Sequence, residues 1–276
     1  MLDLLLRLTR LESTVITVNA ADMDFSQILV ILLAVSGLIL VADAAILKRR
    51  RRASSKMRAS LPVQYARSLF PVILIVLGLR SFIVEPFPIP SASMMPGLVD
   101  GDFIFVNKFS YGLRLPVLNS KFLSLGQPQR GDVVVFRLPS DPSVHYIKRL
   151  IGLPGDHIVV RDNTIFINGA QVPVKRDGEY TGAYGFSGAD LEVERIGERD
   201  HLIMLAKNRM ATDYDSVVPP GNYFFMGDNR NDSGDSRFGN VGFVPDRNLV
   251  GRAMLIWMNW QIPGWPIWHR FGTKIS

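Results

Sequence analysis

The sequence predicts a mostly β, coiled antiparallel β-sheet or barrel-like domain outside the cytoplasm, attached to two N-terminal transmembrane helices. Three observations predict it. Two long apolar runs lie in the first third of the chain, separated by a strongly basic loop. From residue 85 onward the pattern changes to short segments rich in Val, Ile and Phe, bounded by Gly, Pro, Asp and Asn. The charge divides the same way: of 31 Lys/Arg and 25 Asp/Glu, 11 and 5 fall in residues 1–84, leaving 20 and 20 in residues 85–276. The net charge of +6 therefore belongs to the N-terminal third, and the neutral remainder weighs against nucleic-acid binding.

The elements follow in chain order. Residues 1–24 form an extension in which Leu2, Leu4, Leu5, Leu6, Leu8 and Leu11 suggest a short amphipathic helix, while Thr9, Arg10 and Glu12 break any signal-peptide core. Residues 25–47 form an apolar run of 23 residues with one charge, Asp43, near its end. At about 1.5 Å per residue they span a hydrocarbon layer of roughly 30 Å. A second apolar run, 69–84, gives a predicted span over 68–84 if Arg80 snorkels to an interface and the helix reaches back toward Tyr65; the alternative is a re-entrant or interfacial segment. Between them, loop 48–67 carries Lys48, Arg49, Arg50, Arg51, Arg52, Lys56, Arg58 and Arg67 with no acidic residue. So basic a loop stays in the cytoplasm, which puts both flanks of the spans on the far side.

In residues 85–276, strands are expected at 103–106, 133–138, 145–150, 157–160, 164–167, 201–205, 223–226 and 249–257, with a tight turn at Asn168-Gly169. Residues 175–200, polar and Gly-rich, read as an insertion or long surface hairpin remote from the chemistry, within a variable region near 170–215. Trp257, Trp260, Trp265 and Trp268 cluster near the end of the chain, where they either close a hydrophobic core or meet a membrane interface; Trp265 and Trp268 are the better candidates for bilayer contact.

Several chemistries are excluded. There is no Cys, hence no thiol nucleophile, disulfide or Cys-ligated metal. The histidines, His145, His157, His201 and His269, include no HExxH pair, and no metal or cofactor is expected. Residues 185–189 half-match a nucleophile elbow but lack a preceding strand. Residues 228–235 resemble a calcium loop in composition, with Arg230 at the third position and no Glu at the twelfth.

What remains is a set of motifs: residues 90–96 (PSASMMP), 131–136 (GDVVVF), 146–149 (YIKR), 152–156 (GLPGD) and 227–237 (GDNRNDSGDSR). With the two spans and the basic loop, their order resembles that of type I signal peptidases, the bacterial leader peptidases. The match is loosest over 1–24 and 170–215. The resemblance implies a serine endopeptidase of the bacterial inner membrane, with its catalytic domain on the extracytoplasmic face. It would remove signal peptides from exported preproteins by a Ser–Lys dyad. Ser93 would be the nucleophile, Lys148 the general base, and Ser91 with the Ser93 N–H the oxyanion hole. Ser233 would hold the lysine amine, and Asp235 with Arg237 would brace the loop.

The residues carry a physical case beside the resemblance. A serine needs a base within hydrogen-bond reach. A lysine serves only if apolar walls disfavour its ammonium, and Tyr146, Ile147, Met94 and Leu98 could supply them. Nearby carboxylates would oppose that shift, so Asp235 should turn toward Arg237 and away from Lys148. Export signals end in small residues at an Ala-x-Ala-like site. Shallow pockets for them are expected from Phe87, Ile89, Pro90, Met94, Leu98, Ile104, Tyr146 and Ile147, with the peptide added as a strand along 87–91 or 145–148. Two rivals are weaker. A self-processing, repressor-type Ser–Lys protease would be soluble. A non-catalytic anchored β-domain binding exported chains would have no need of both Ser93 and Lys148.

Overall fold

The computed structural model describes residues 25–47, 60–82, 84–114, 121–182, 185–207, 209–260 and 264–276. The N-terminal extension and the basic cluster from Lys48 to Arg58 lie outside the described residues. The chain divides into two units, Met1–Leu77 and Gly78–Ser276.

Helix α1 (Phe25–Ala42) continues into a π-helical turn, Asp43–Leu47, and α2 covers Leu61–Phe82. Windows of 19 and 20 residues within them, Gln27–Ala45 and Leu61–Arg80, are long and apolar enough to cross a membrane. Their apolar side chains, among them Leu38, Val41, Leu69 and Ile75, are exposed, unlike those of a core helix. The charge inside the first run is accounted for: Asp43 is buried and accepts a hydrogen bond from Arg67 Nη2 at 2.8 Å. Helix α2 begins earlier than the expected 68–84 and ends sooner. Pro62 sits in its first turn, where a missing N–H leaves no helical bond unmade. At the other end Val84 pairs with Asn107 in a sheet.

Among the described residues, the second unit contains sixteen strands. In order they are β1 (Val84–Pro88), β2 (Asp102–Asn107), β3 (Leu113–Arg114), β4 (Lys121–Leu123), β5 (Val133–Arg137), β6 (His145–Gly152), β7 (His157–Arg161) and β8 (Thr164–Ile167). There follow β9 (Ala170–Gln171), β10 (Val174–Glu179), β11 (Asp190–Ile196), β12 (Arg199–Leu205), β13 (Tyr214–Val217), β14 (Asn222–Met226), β15 (Val244–Pro245) and β16 (Leu249–Asn259). Every expected strand is present. The unforeseen β1 carries Pro86 and Pro88, which a strand tolerates at a sheet edge. The expected turn has Asn168 and Gly169 both at positive φ and joins β8 to β9. Asp162 and Asn163 make the same kind of turn between β7 and β8.

One antiparallel sheet positions the site, in the order β1-β2-β16-β5-β6-β14-β15. Laid flat, β1 and β6 would be about 19 Å apart at roughly 4.8 Å per strand. Yet the Phe87 ring of β1 lies 5.4 Å from the His145 ring of β6. The sheet therefore curls until strands distant in hydrogen-bonding order face each other. Ile89, Met94, Leu98, Ile104, Val133, Val135 and Ile147 fill the inside of this curl as one apolar cluster.

Candidate active site

The curl leaves a cavity of about 380 Å³ between β1 and β6, lined by 87–93 on one wall and 144–148 on the other, with Asp232 and Gly234 at its rim. On the first wall, the chain leaving β1 turns sharply through Ser91 and Ser93, whose hydroxyl oxygens lie 3.3 Å apart. On the second, alternation along β6 sends Lys148 toward the cavity and Arg149 to the opposite face. Lys148 Nζ and Ser93 Oγ are 2.6 Å apart and both residues are buried. Among the described residues no acceptor takes the Ser93 backbone N–H.

Burial pushes the Lys148 ammonium down to about 8, against Asp235 and then Asp228, which pull it up. The apolar surroundings include the Tyr146 ring, whose centroid is 5.3 Å from Nζ. Asp235 turns to Arg237 as expected, accepting from Nε and Nη2 at 2.8 Å each, but its charge still reaches Lys148.

The loop after β14 closes the third side. Gly227 is required there, because a Cβ would collide with Ser233 Oγ and the Ser93 carbonyl oxygen. Asn229 holds the main chain at Ser93, donating from its backbone N–H to Ser93 O at 3.1 Å and from Nδ2 to Ala92 O at 3.2 Å. On the far face of β6, Arg149 donates to both Asp228 oxygens at 2.8 and 2.7 Å and to Gly131 O at 2.8 Å.

The arrangement places the Ser93 hydroxyl against a buried amine that burial makes easier to deprotonate, with the Ser91 hydroxyl beside it, along one wall of the cavity. The family follows from comparison. A family model described as Signal peptidase, peptidase S26, matches residues 62–260.

The chain belongs to the S26 signal peptidase family.

It is therefore a peptidase. Among its relatives, Signal peptidase I of Pseudomonas aeruginosa is 44% identical over 269 residues, covering 87% of this chain and 94% of that one. Signal peptidase I of Pseudomonas fluorescens is 46% identical over 272 residues, covering 88% and 94%. Signal peptidase I of Rickettsia typhi is 36% identical over 231 residues, covering 78% and 86%.

Within this S26 peptidase, the structure gathers Ser91, Ser93, Lys148, Phe87, Ile89, Pro90, Tyr146 and Ile147 around one groove. It does not bring the other expected pocket residues there. Ile104 is fully buried in the core, and Met94 and Leu98 line a separate cavity behind the site, because the turn after Ser93 carries them inward. Ser233 is buried, but its Oγ has no hydrogen-bond partner among the described residues, so the expected contact with the lysine amine is not made.

The insertion is not remote from the chemistry. It forms a three-stranded sheet, β10-β11-β12, whose Met204 shares main-chain hydrogen bonds with Asp228 and Arg230 of the active-site loop. Glu194 on β11 pairs with Arg230, both fully buried. Sequence reasoning missed Asn229, Arg230, Asp228, Arg149, Glu194 and His201 as parts of the site. The run 227–237 signalled a specialised loop. Glu194, amid the charged residues of β11, reads as one more exposed side chain.

Proposed function

We propose that this S26 peptidase is a membrane-anchored serine endopeptidase that removes N-terminal signal peptides from exported preproteins, cutting after small residues of the Ala-x-Ala type. The observation that carries this reading is the 2.6 Å contact between Ser93 Oγ and the buried Lys148 amine at the floor of the groove.

With Lys148 neutral, the Ser93 hydroxyl donates to the amine lone pair. Attack on the scissile carbonyl forms the Oγ–C bond and moves the proton to Nζ. The ammonium then protonates the departing amine, leaving an acyl-enzyme. Lys148, neutral again, deprotonates a water that attacks the ester, and the proton returns to Oγ as the acid leaves. The Ser91 hydroxyl and the Ser93 N–H face the oxygen on which charge builds. Ser233 Oγ, buried without a partner among the described residues, is suited to steady the ammonium while it holds the extra proton. Asp235 and Arg237 brace the loop that carries Ser233.

The substrate would add as a strand. Among the described residues β1 pairs only with β2, and the outer edge of β6 is unpaired by β14 before Arg149, so extended backbone flanks the cleft on both sides. Shallow apolar positions at Phe87, Ile89, Pro90, Tyr146 and Ile147 suit small side chains. Anchoring in the bacterial inner membrane, with this unit on the extracytoplasmic face, puts the groove where a signal peptide emerges. Trp265 and Trp268, 90% and 75% exposed, are assigned to the bilayer surface.

The test is incubation of the detergent-purified protein with a preprotein, followed by N-terminal sequencing of the product. A single cut after an Ala-x-Ala segment is expected; an uncut preprotein sinks the reading. In the same assay Ser91→Ala should lower kcat by about 10²–10³-fold, since one oxyanion donor remains. Unchanged kcat would remove Ser91 from the oxyanion hole.

A further inference from the structure

We infer that Glu194, on the inserted sheet, is a positioning residue for the Ser93–Lys148 pair: through Arg230 it holds the loop that clamps the nucleophile's main chain. The inference rests on the Ser–Lys reading above.

The contacts form an unbroken chain. Glu194 Oε1 accepts from Arg230 Nη1 at 2.6 Å, and Oε2 accepts from Nη2. Arg230 also donates from Nε to Gly227 O at 3.3 Å, tying the loop's start to the same guanidinium. The neighbouring Asn229 holds Ser93 O and Ala92 O. The Arg230 carbonyl accepts from Arg237 Nη2 at 2.6 Å, and Arg237 fixes Asp235. His201 on β12 reaches both anchors, with Nε2 3.2 Å from Glu194 Oε2 and 3.9 Å from Asp228 Oδ1. One buried carboxylate on the inserted sheet thus connects, through Arg230, to the loop that holds the main chain at Ser93.

Stability does not account for this pair. Two ions removed from water lose hydration that their attraction only partly restores, and apolar residues of similar volume often do as well or better. Glu194 nonetheless stays ionised. Burial pushes its carboxyl up, but Arg230 and His201 outweigh that and hold it at about 2. What a bidentate guanidinium–carboxylate pair adds over an apolar contact is a defined orientation. Here that orientation sets where Asn229, Ser233 and Asp235 sit relative to Ser93 and Lys148. The carboxylates that act on Lys148, Asp235 and Asp228, both belong to this loop. A displaced loop would change their field and admit water to the amine.

The test compares native protein, Ser93→Ala, Glu194→Gln and Glu194→Asp, all full length in detergent, for kcat, KM, the pH profile of kcat/KM and thermal unfolding. Glu194→Gln should lower kcat by about 10–100-fold, the scale expected for ångström-level misplacement of reacting groups. KM should stay within about twofold, the acid limb of kcat/KM should move to higher pH, and Glu194→Asp should recover part of the loss. A second variant, Glu194→Gln with Arg230→Met, removes the stranded cation. If its melting temperature returns while kcat stays low, positioning is supported. Native kcat and an unmoved limb in Glu194→Gln, a loss confined to KM, or recovery of kcat together with melting temperature in the double variant would each overturn it. Cleavage by Ser93→Ala equal to native would instead remove the Ser–Lys reading, so the two failures are distinguishable.

Discussion

Ser93→Ala and Lys148→Ala are each expected to lower kcat by at least about 10⁴-fold, and the double variant to be no worse than either, because the proposed nucleophile and base would act as one unit. Lys148→Met adds a second, opposite readout: the inactive protein should be more stable than native at pH 7. The reason lies in linkage. In the unfolded chain the lysine stays protonated up to 10.5, whereas burial pulls it down to about 8 in the folded protein. Below about 8 the folded state must therefore hold a charge away from water. The gap corresponds to about 3 kcal/mol of destabilisation. That burden is fully present below pH 8 and fades as pH rises toward 10.5, since the unfolded state binds more protons throughout that window. Met occupies similar volume without the charge. Chemical denaturation at pH 7 and at pH 10 checks it: the advantage of Lys148→Met should be large at the first and small at the second. A variant less stable than native at pH 7, or any Lys148 variant with native kcat, would end the case for a neutral amine as base.

The second large effect is on rate against pH. If cleavage needs the uncharged amine, log kcat/KM should rise with unit slope on the acid side and level off above about 8. Activity at pH 6 would then be about 100-fold below the plateau and at pH 7 about 10-fold below. The position of the limb reflects competing influences: burial lowers it, while Asp235 and Asp228 raise it. Initial rates on one preprotein, taken at subsaturating substrate from pH 5.5 to 10, measure it directly. A profile flat between pH 6 and 9, or a limb near 6.5 as for an unperturbed imidazole, contradicts the assignment of Lys148.

Much of the architecture was legible in neighbouring residues. The apolar run 25–47 was readable because a helix needs little beyond its own side chains to cross hydrocarbon. The β-strand segments were readable from short Val/Ile/Phe-rich runs, and Asn168-Gly169 from the positive φ that such a turn demands. The bounds of α2 were less so, since Leu61 to Arg67 form a helix without adding to the apolar run. Of the site, Ser93 and Lys148 stood out by motif. Met94 and Leu98 lie outside the groove because closeness to Ser93 in sequence does not say which way a turn faces, and Ile104 because its place on β2 faces the core. Glu194 was missed for a related reason: a buried carboxylate and a solvated one look alike until the partner guanidinium is located.

The chain's own order of residues thus determined the two apolar helices, the strands, the tight turn and the identities of a serine, a lysine and a polar loop. Those follow from interactions over a few residues. Tertiary structure alone decided that Ser93 meets Lys148, 55 residues away, and that Glu194 meets Arg230, 36 residues away. The curl of one sheet made the first contact and the docking of another made the second. A lysine becomes a base only when the rest of the fold keeps water from it, and no short stretch of sequence can do that.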